Sequence, residues 1–312
     1  MSRTPRTTMM RSICAAAVAM VASAGHVHAQ HGLDRLFPHV RYFDALVADP
    51  LEPRLGLGLL VTDLFEDAPA GRERMEPFII PDPEDAAFDV TAGTAIGGTL
   101  PVWHLKRWNE RDGIIIAAQA GVFGRFRIEY KTREDVGQDW FVGVPVEIRK
   151  GNWSGRFRIM HRSSHLGDEL VETTGASRVE VGGEFIDFIA AYSPVPELRL
   201  YGGSAWVFRS YTDILPVLIE QGWDDRTQLQ LGFDTSTWPW MDGALGLVGG
   251  VDWRRAQRTN WQDSFAAAGG IAIRTPTRGA RLIARYFTGA SLLEQFFLST
   301  ETYWGLELIL DF

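Results

Sequence analysis

The chain of 312 residues carries 31 Lys and Arg against 39 Asp and Glu, a formal charge of −8. That balance excludes a nucleic-acid binder, which needs a concentrated basic face. Glycine at 32 and aromatics at 12% suit closely packed strands. After the N-terminus no uncharged apolar run approaches the ~18 residues of a membrane-spanning helix.

Arg3, Arg6 and Arg11 precede an uncharged run from Ser12 to Gly25, and Val27-His28-Ala29 follows as a small-residue cleavage signal. Residues 1–29 therefore read as a secretory signal peptide. Its removal takes the single cysteine, Cys14, and leaves no thiol chemistry in residues 30–312. A mature chain of about 283 residues is enough for one barrel of about twelve strands of ~10 residues per span together with their connections.

From residue 30 to 54 the apolar residues Leu33, Leu36, Phe37, Tyr42, Phe43, Leu46 and Val47 have helical spacing, and Asp49-Pro50 and Glu52-Pro53 break the chain. The expectation is a periplasmic or plugging segment ahead of a barrel over 55–312. A first strand over 55–61 leads into an acidic connection over 62–87, read as a solvated loop, with capture of the divalent cations that bridge lipopolysaccharide as the alternative. Alternation then predicts strands near 88–108, 114–128, 140–149, 153–162, 178–192, 197–208, 226–235, 243–254, 264–274 and 281–286. A phase change at Gly182-Gly183 predicts a bulge, and Pro145 is awkward for a central strand. The connections alternate long and short, as in an even-stranded barrel with both termini in the periplasm.

The final strand sets Trp304, Leu306, Leu308, Leu310 and Phe312 on one face against Tyr303, Gly305, Glu307, Ile309 and Asp311. This ending resembles the closing strand of bacterial outer-membrane β-barrels, whose terminal Phe is read by the insertion machinery. The resemblance implies the cell outer membrane as location, its lipids and lipopolysaccharide as surroundings, and the insertion machinery as partner through Phe312. The expected fold is thus all-β: a single transmembrane up-and-down antiparallel barrel of about twelve strands, following a cleaved signal peptide.

In hydrocarbon an unpaired backbone amide costs several kcal/mol, so a sheet spans only when closed, with its outer face apolar. The opposite face here carries Arg125, Arg127, Arg149, Arg156, Arg158, Arg199, Arg254, Arg281 and Arg285 with Glu147, Asp234 and Asp252. These are the expected lumen-lining residues. Two readings stay open: a basic lumen that favours anionic solutes, or an ion-pair lattice that fills a narrow barrel.

The densest polar stretch is His161-Arg162-Ser163-Ser164-His165-Leu166-Gly167-Asp168-Glu169. Strand parity puts His161 and Ser163 on the lipid-facing side, where an imidazole two residues away can accept the serine proton. The pair resembles outer-membrane phospholipase A and the lipid A deacylases. That resemblance implies Ser163 as nucleophile, His161 as base and Glu169, or else Asp168 or Glu172, as the orienting carboxylate. Ser164 stands where those enzymes have Asn. A metal site from His161, His165, Asp168 and Glu169 is a second reading, although no fixed ligand spacing is met. A structured external loop is the third.

Ala48-Asp49-Pro50-Leu51-Glu52-Pro53 and Ser163-Ser164-His165-Leu166-Gly167-Asp168-Glu169 also resemble the Gram-negative family termed domain of unknown function 1207, which implies an envelope location and no activity. The functional expectation is a narrow pore or structural envelope component, with an outer-membrane lipid hydrolase using His161 and Ser163 as the alternative. No cofactor is expected.

Overall fold

The computed structural model describes residues 35–66, 90–128, 135–175, 177–178, 180–213, 226–297 and 299–312. The signal-peptide expectation and most of the acidic connection lie outside them. Twelve strands occupy the described residues: β1 (Leu55–Glu66), β2 (Val90–Arg107), β3 (Gly113–Arg127), β4 (Asp135–Lys150), β5 (Trp153–Leu166), β6 (Val181–Val195), β7 (Leu198–Ser210), β8 (Thr227–Trp240), β9 (Leu245–Ala256), β10 (Asp263–Arg274), β11 (Gly279–Ala290) and β12 (Thr300–Asp311). Each pairs antiparallel with its neighbours in sequence, and β1 pairs with β12 to close the ring. Closure removes the sheet edge, which is what a sheet in hydrocarbon requires. Among the described residues no helix is long and apolar enough to cross a membrane.

The closing seam shows why the alternation matters. Leu57 pairs with Leu308 and Leu59 with Leu306, and all four point away from the bore with at least half their surface exposed. Their neighbours Tyr303, Glu307 and Ile309 are buried inside. In lipid vesicles a charge near the middle of this outer face would meet hydrocarbon, and Leu306→Arg should then cost about 2–4 kcal/mol, read as a lowered urea midpoint for unfolding from the vesicles.

The strands extend past their expected ends, β5 to Leu166 and β8 to Trp240. The bulge expected at Gly182-Gly183 of β6 falls instead in the neighbouring strand: the β6–β7 register shifts between Glu184 and Phe185, leaving Phe208 of β7 as the extra residue. Pro145 pairs with Arg158 on the β5 side. Towards β3 the paired residues jump from Ile116 and Val146 to Gln119 and Gly143. The residue without an N–H sits in that gap, so a central strand tolerates it.

No α-helix forms over residues 35–54, although the apolar spacing there is helical. Tyr42, Phe43, Leu46 and Ala48 are buried, and the polar groups between them bond to the barrel wall. With both the apolar and the charged residues of the segment taken up by the wall, and with Pro50 and Pro53 breaking any helical ladder, the segment runs irregularly through the bore.

Candidate functional site

The first candidate is the bore itself. Residues 41–54 are tied to strands all around the ring. Arg41 pairs with Glu147 of β4, whose carboxylate also accepts the Tyr42 and Phe43 amides at 3.0 and 3.1 Å. Asp44 pairs with Arg149 at 3.0 Å, Asp49 with Arg254 of β9, Glu52 with Arg156 of β5 and Arg54 with Glu307 of β12. The Phe43 ring lies between the guanidiniums of Arg156 and Arg199, 4.8 and 5.3 Å away. Tyr201 donates to Asp252 at 2.9 Å, and Asp234 accepts from Arg199 and from the Val47 amide. Burying so many charges is tolerable only because each is met by an opposite charge and further hydrogen bonds.

The other expected lumen residues join the same lattice. Arg158 pairs with Asp187 at 2.8 Å, Arg285 with Glu307 at 3.2 Å, and Arg281 with Asp311 at 2.6 Å. Arg125 pairs with Glu301. Arg127 pairs in register with the buried Thr91 of β2.

At the end of the ring where the long connections lie, residues 291–297 fold inward. Glu294 bonds to Arg162 and Arg258, while Leu293 and Phe296 pack against Val136, Leu166 and Leu170. Cavities of about 70 and 60 Å³ remain beside the segment, room for a few waters each. Among the described residues the bore is filled from both ends.

The second candidate lies outside the ring. His161 is exposed and Ser163 half-buried, and both point away from the bore, as do Phe157 and Ile159 before them. Ser164, one residue on, points inward and donates to Asp139, so it cannot orient an outward imidazole. Glu169 sits exposed on the short helix α1 (Asp168–Thr174) and lines an open depression with His165, Asp168 and Asp135. Among the described residues no group of three or more His, Cys, Asp or Glu side chains is arranged to hold a metal ion.

The carboxylate that faces His161 was not expected from sequence. Glu184 of β6 is the register partner of His161, and paired side chains on one face of antiparallel strands stand ~4.5–5.5 Å apart at Cβ. Tyr211, just past β7, donates its hydroxyl to Glu184 Oε1 at 3.0 Å. Its ring meets the His161 ring edge-on, with centroids 6.2 Å apart. Partial burial, followed by the hydrogen bond to Glu184, holds the Tyr211 phenol above its usual range, so it remains the donor.

The family model described as protein of unknown function, DUF1207, matches residues 86–312. The chain belongs to this family. No curated protein matches it. Among solved structures, the DUF1207 chain is similar to outer membrane phospholipase A from Escherichia coli, with 12% identity, a TM-score of 0.52, and coverage of 89% of this chain and 96% of that one. It is also similar to the Salmonella typhi outer membrane phospholipase dimer with bound calcium, with 12% identity, a TM-score of 0.51, and coverage of 84% and 94%. At such identity the likeness is one of fold: this member of DUF1207 has an outer-membrane β-barrel fold.

Proposed function

We propose that this chain is a closed, non-conducting barrel of the outer membrane that serves the envelope structurally. The observation that carries the reading is the path of residues 41–54 through the bore, ion-paired to β4, β5, β9 and β12. A pore needs a continuous wet path, and a bore packed with aromatic rings and paired charges offers none. Refolded full-length protein in a planar bilayer is expected to give no unitary current steps, and steady steps would overturn the reading.

A second reading, a hydrolase of lipid acyl esters, is favoured by one separate observation. His161, Ser163 and Glu184 gather on the outward face, beyond the exposed apolar Phe157, Ile159 and Phe188, with a candidate nucleophile, base and carboxylate side by side. In this reading Ser163 Oγ attacks the ester carbonyl carbon while His161 takes its proton. The bond to the alcohol oxygen then breaks, and His161 returns the proton to that oxygen. Water cleaves the acyl-serine by the same exchange, releasing a fatty acid. Phospholipid and lipid A vesicles should release fatty acid with wild-type protein and not with Ser163→Ala. Equal release from both proteins, or none from either, would remove the reading.

A further inference from the structure

We propose that Glu184 is the positioning carboxylate of an interfacial acyl-ester site with His161 and Ser163, held in place by Tyr211, and that its substrate is a lipid whose ester bonds lie at the long-loop rim of the barrel. This rests on the hydrolase reading above.

Three features of the patch carry it. Glu184 stands opposite His161 in register, and its two oxygens differ: Oε1 takes the Tyr211 hydroxyl, whereas Oε2 is buried with no hydrogen-bond partner. A buried carboxylate oxygen without a donor is costly. Glu184 stands between Arg209 of β7 and His161 of β5 in register, and His161 supplies an N–H when it turns that edge towards Glu184, leaving the other ring nitrogen for Ser163. The division of labour is that of a base oriented by a third group.

Tyr211 is itself fixed, its amide donating to the Gly182 carbonyl at 2.8 Å. The Glu184 end of the relay is thus anchored from β6 and from the start of the connection after β7.

A glycine lets β6 approach the backbone beside the serine closely. Gly182 pairs with Ser163, and a Cβ built there would come within 2.6 Å of the Arg162 carbonyl and 3.3 Å of Ser163 Cα. On the other side Ser163 faces Trp140 of β4, an exposed indole. Towards the short-turn end the same face is apolar, with Phe157, Ile159 and Phe188 exposed. Polar groups at the edge of an apolar band, beside a Trp, mark the level of a membrane interface. Acyl ester bonds of lipids lie at that level, between headgroup and chain, and that depth selects the substrate class.

The groups facing His161 are Glu184 on β6, Tyr211 and Arg209 at the end of β7, and the apolar Val142 on β4. The test is labelling of full-length protein in detergent micelles with a fluorophosphonate, located by peptide mass spectrometry.

Wild type should label at Ser163. Glu184→Gln should lower the rate 10- to 100-fold, Tyr211→Phe should do the same more weakly, and Glu184→Asp should recover part of the rate. Glu169→Gln should match wild type. Heat-modifiable gel migration checks that each variant is folded. Absence of wild-type labelling at Ser163 would remove the hydrolase reading and this site with it. Labelling that is insensitive to Glu184→Gln, or abolished by Glu169→Gln, would leave the hydrolase standing and overturn Glu184. The two lipid sources are separated by fatty-acid release from phosphatidylethanolamine vesicles against purified lipid A, and either supports the site.

Discussion

Glu52→Ala should destabilise the folded barrel by about 3–5 kcal/mol, because it leaves a guanidinium buried without its counter-charge. Arg156 Nη1 and Nη2 reach the two Glu52 oxygens at 2.5 and 3.0 Å, and the side chains of Arg156 and Glu52 are 0% and 3% exposed. Around them lie the Phe43 ring on one side and the Arg158–Asp187 pair on the other, so water has little room to replace the lost carboxylate. The pair itself is worth far less than the loss of one partner, since both charges were desolvated to make it. Glu52→Leu with Arg156→Met should therefore recover most of the stability. Urea unfolding from lipid vesicles, run as a double-mutant cycle, reads both effects. A cost under about 1 kcal/mol for Glu52→Ala is the value of a solvated surface pair, and would mean that the bore is wet at that level.

The ring of strands was legible because one periodicity recurs throughout. In β12, Leu306, Leu308 and Leu310 face out while Glu307 and Ile309 face in, and a period of two fixes both faces at once. Parity likewise placed His161 and Ser163 outward from a run of apolar residues in the same strand.

What was not legible depends on register between strands joined by long connections. Lys150 pairs with Trp153 across two residues, so the turn sets which residues face each other. Between Leu166 and Val181 no turn geometry does so. The partner of His161 therefore could not be counted from sequence, and attention fell on Glu169, which is near in the chain. The signal available in retrospect is an acidic residue at an outward position of β6, Glu184, beside a bulge that re-aims side chains.

The segment 35–54 failed for a different reason. Its spacing is helical, but Arg41, Asp49, Glu52 and Arg54 find opposite charges on the wall, and contacts between distant parts of the chain override a local pattern. The two readings of the lumen charges were separable only with those partners in view. Arg149, Arg156 and Arg254 make a basic wall in isolation and a neutralised one once Asp44, Glu52 and Asp49 are in place.

Opening the bore should require removal of two blocks in series, and the resulting channel should prefer anions. Residues Pro50 and Leu51 of the N-terminal segment line a cavity together with Leu292 and Leu293 of the inward-folded connection. The tip of one block therefore meets the other. Deleting residues 35–54 alone leaves Glu294 locked to Arg162 and Arg258 and Phe296 packed among Leu166 and Leu170. That variant should conduct weakly or not at all in a planar bilayer. Deletion combined with a short Gly-Ser turn in place of 291–299 should give steady steps. The segment's departure frees Arg149, Arg156 and Arg254 against Glu147 and Glu307, an excess of one positive charge on the wall, and a net wall charge in a narrow bore favours counter-ions. Reversal potentials in a potassium chloride gradient should accordingly lie on the chloride side. Equal unitary steps from the full-length and doubly opened proteins would mean that the segment leaves the bore on its own, and the chain would then be read as a pore.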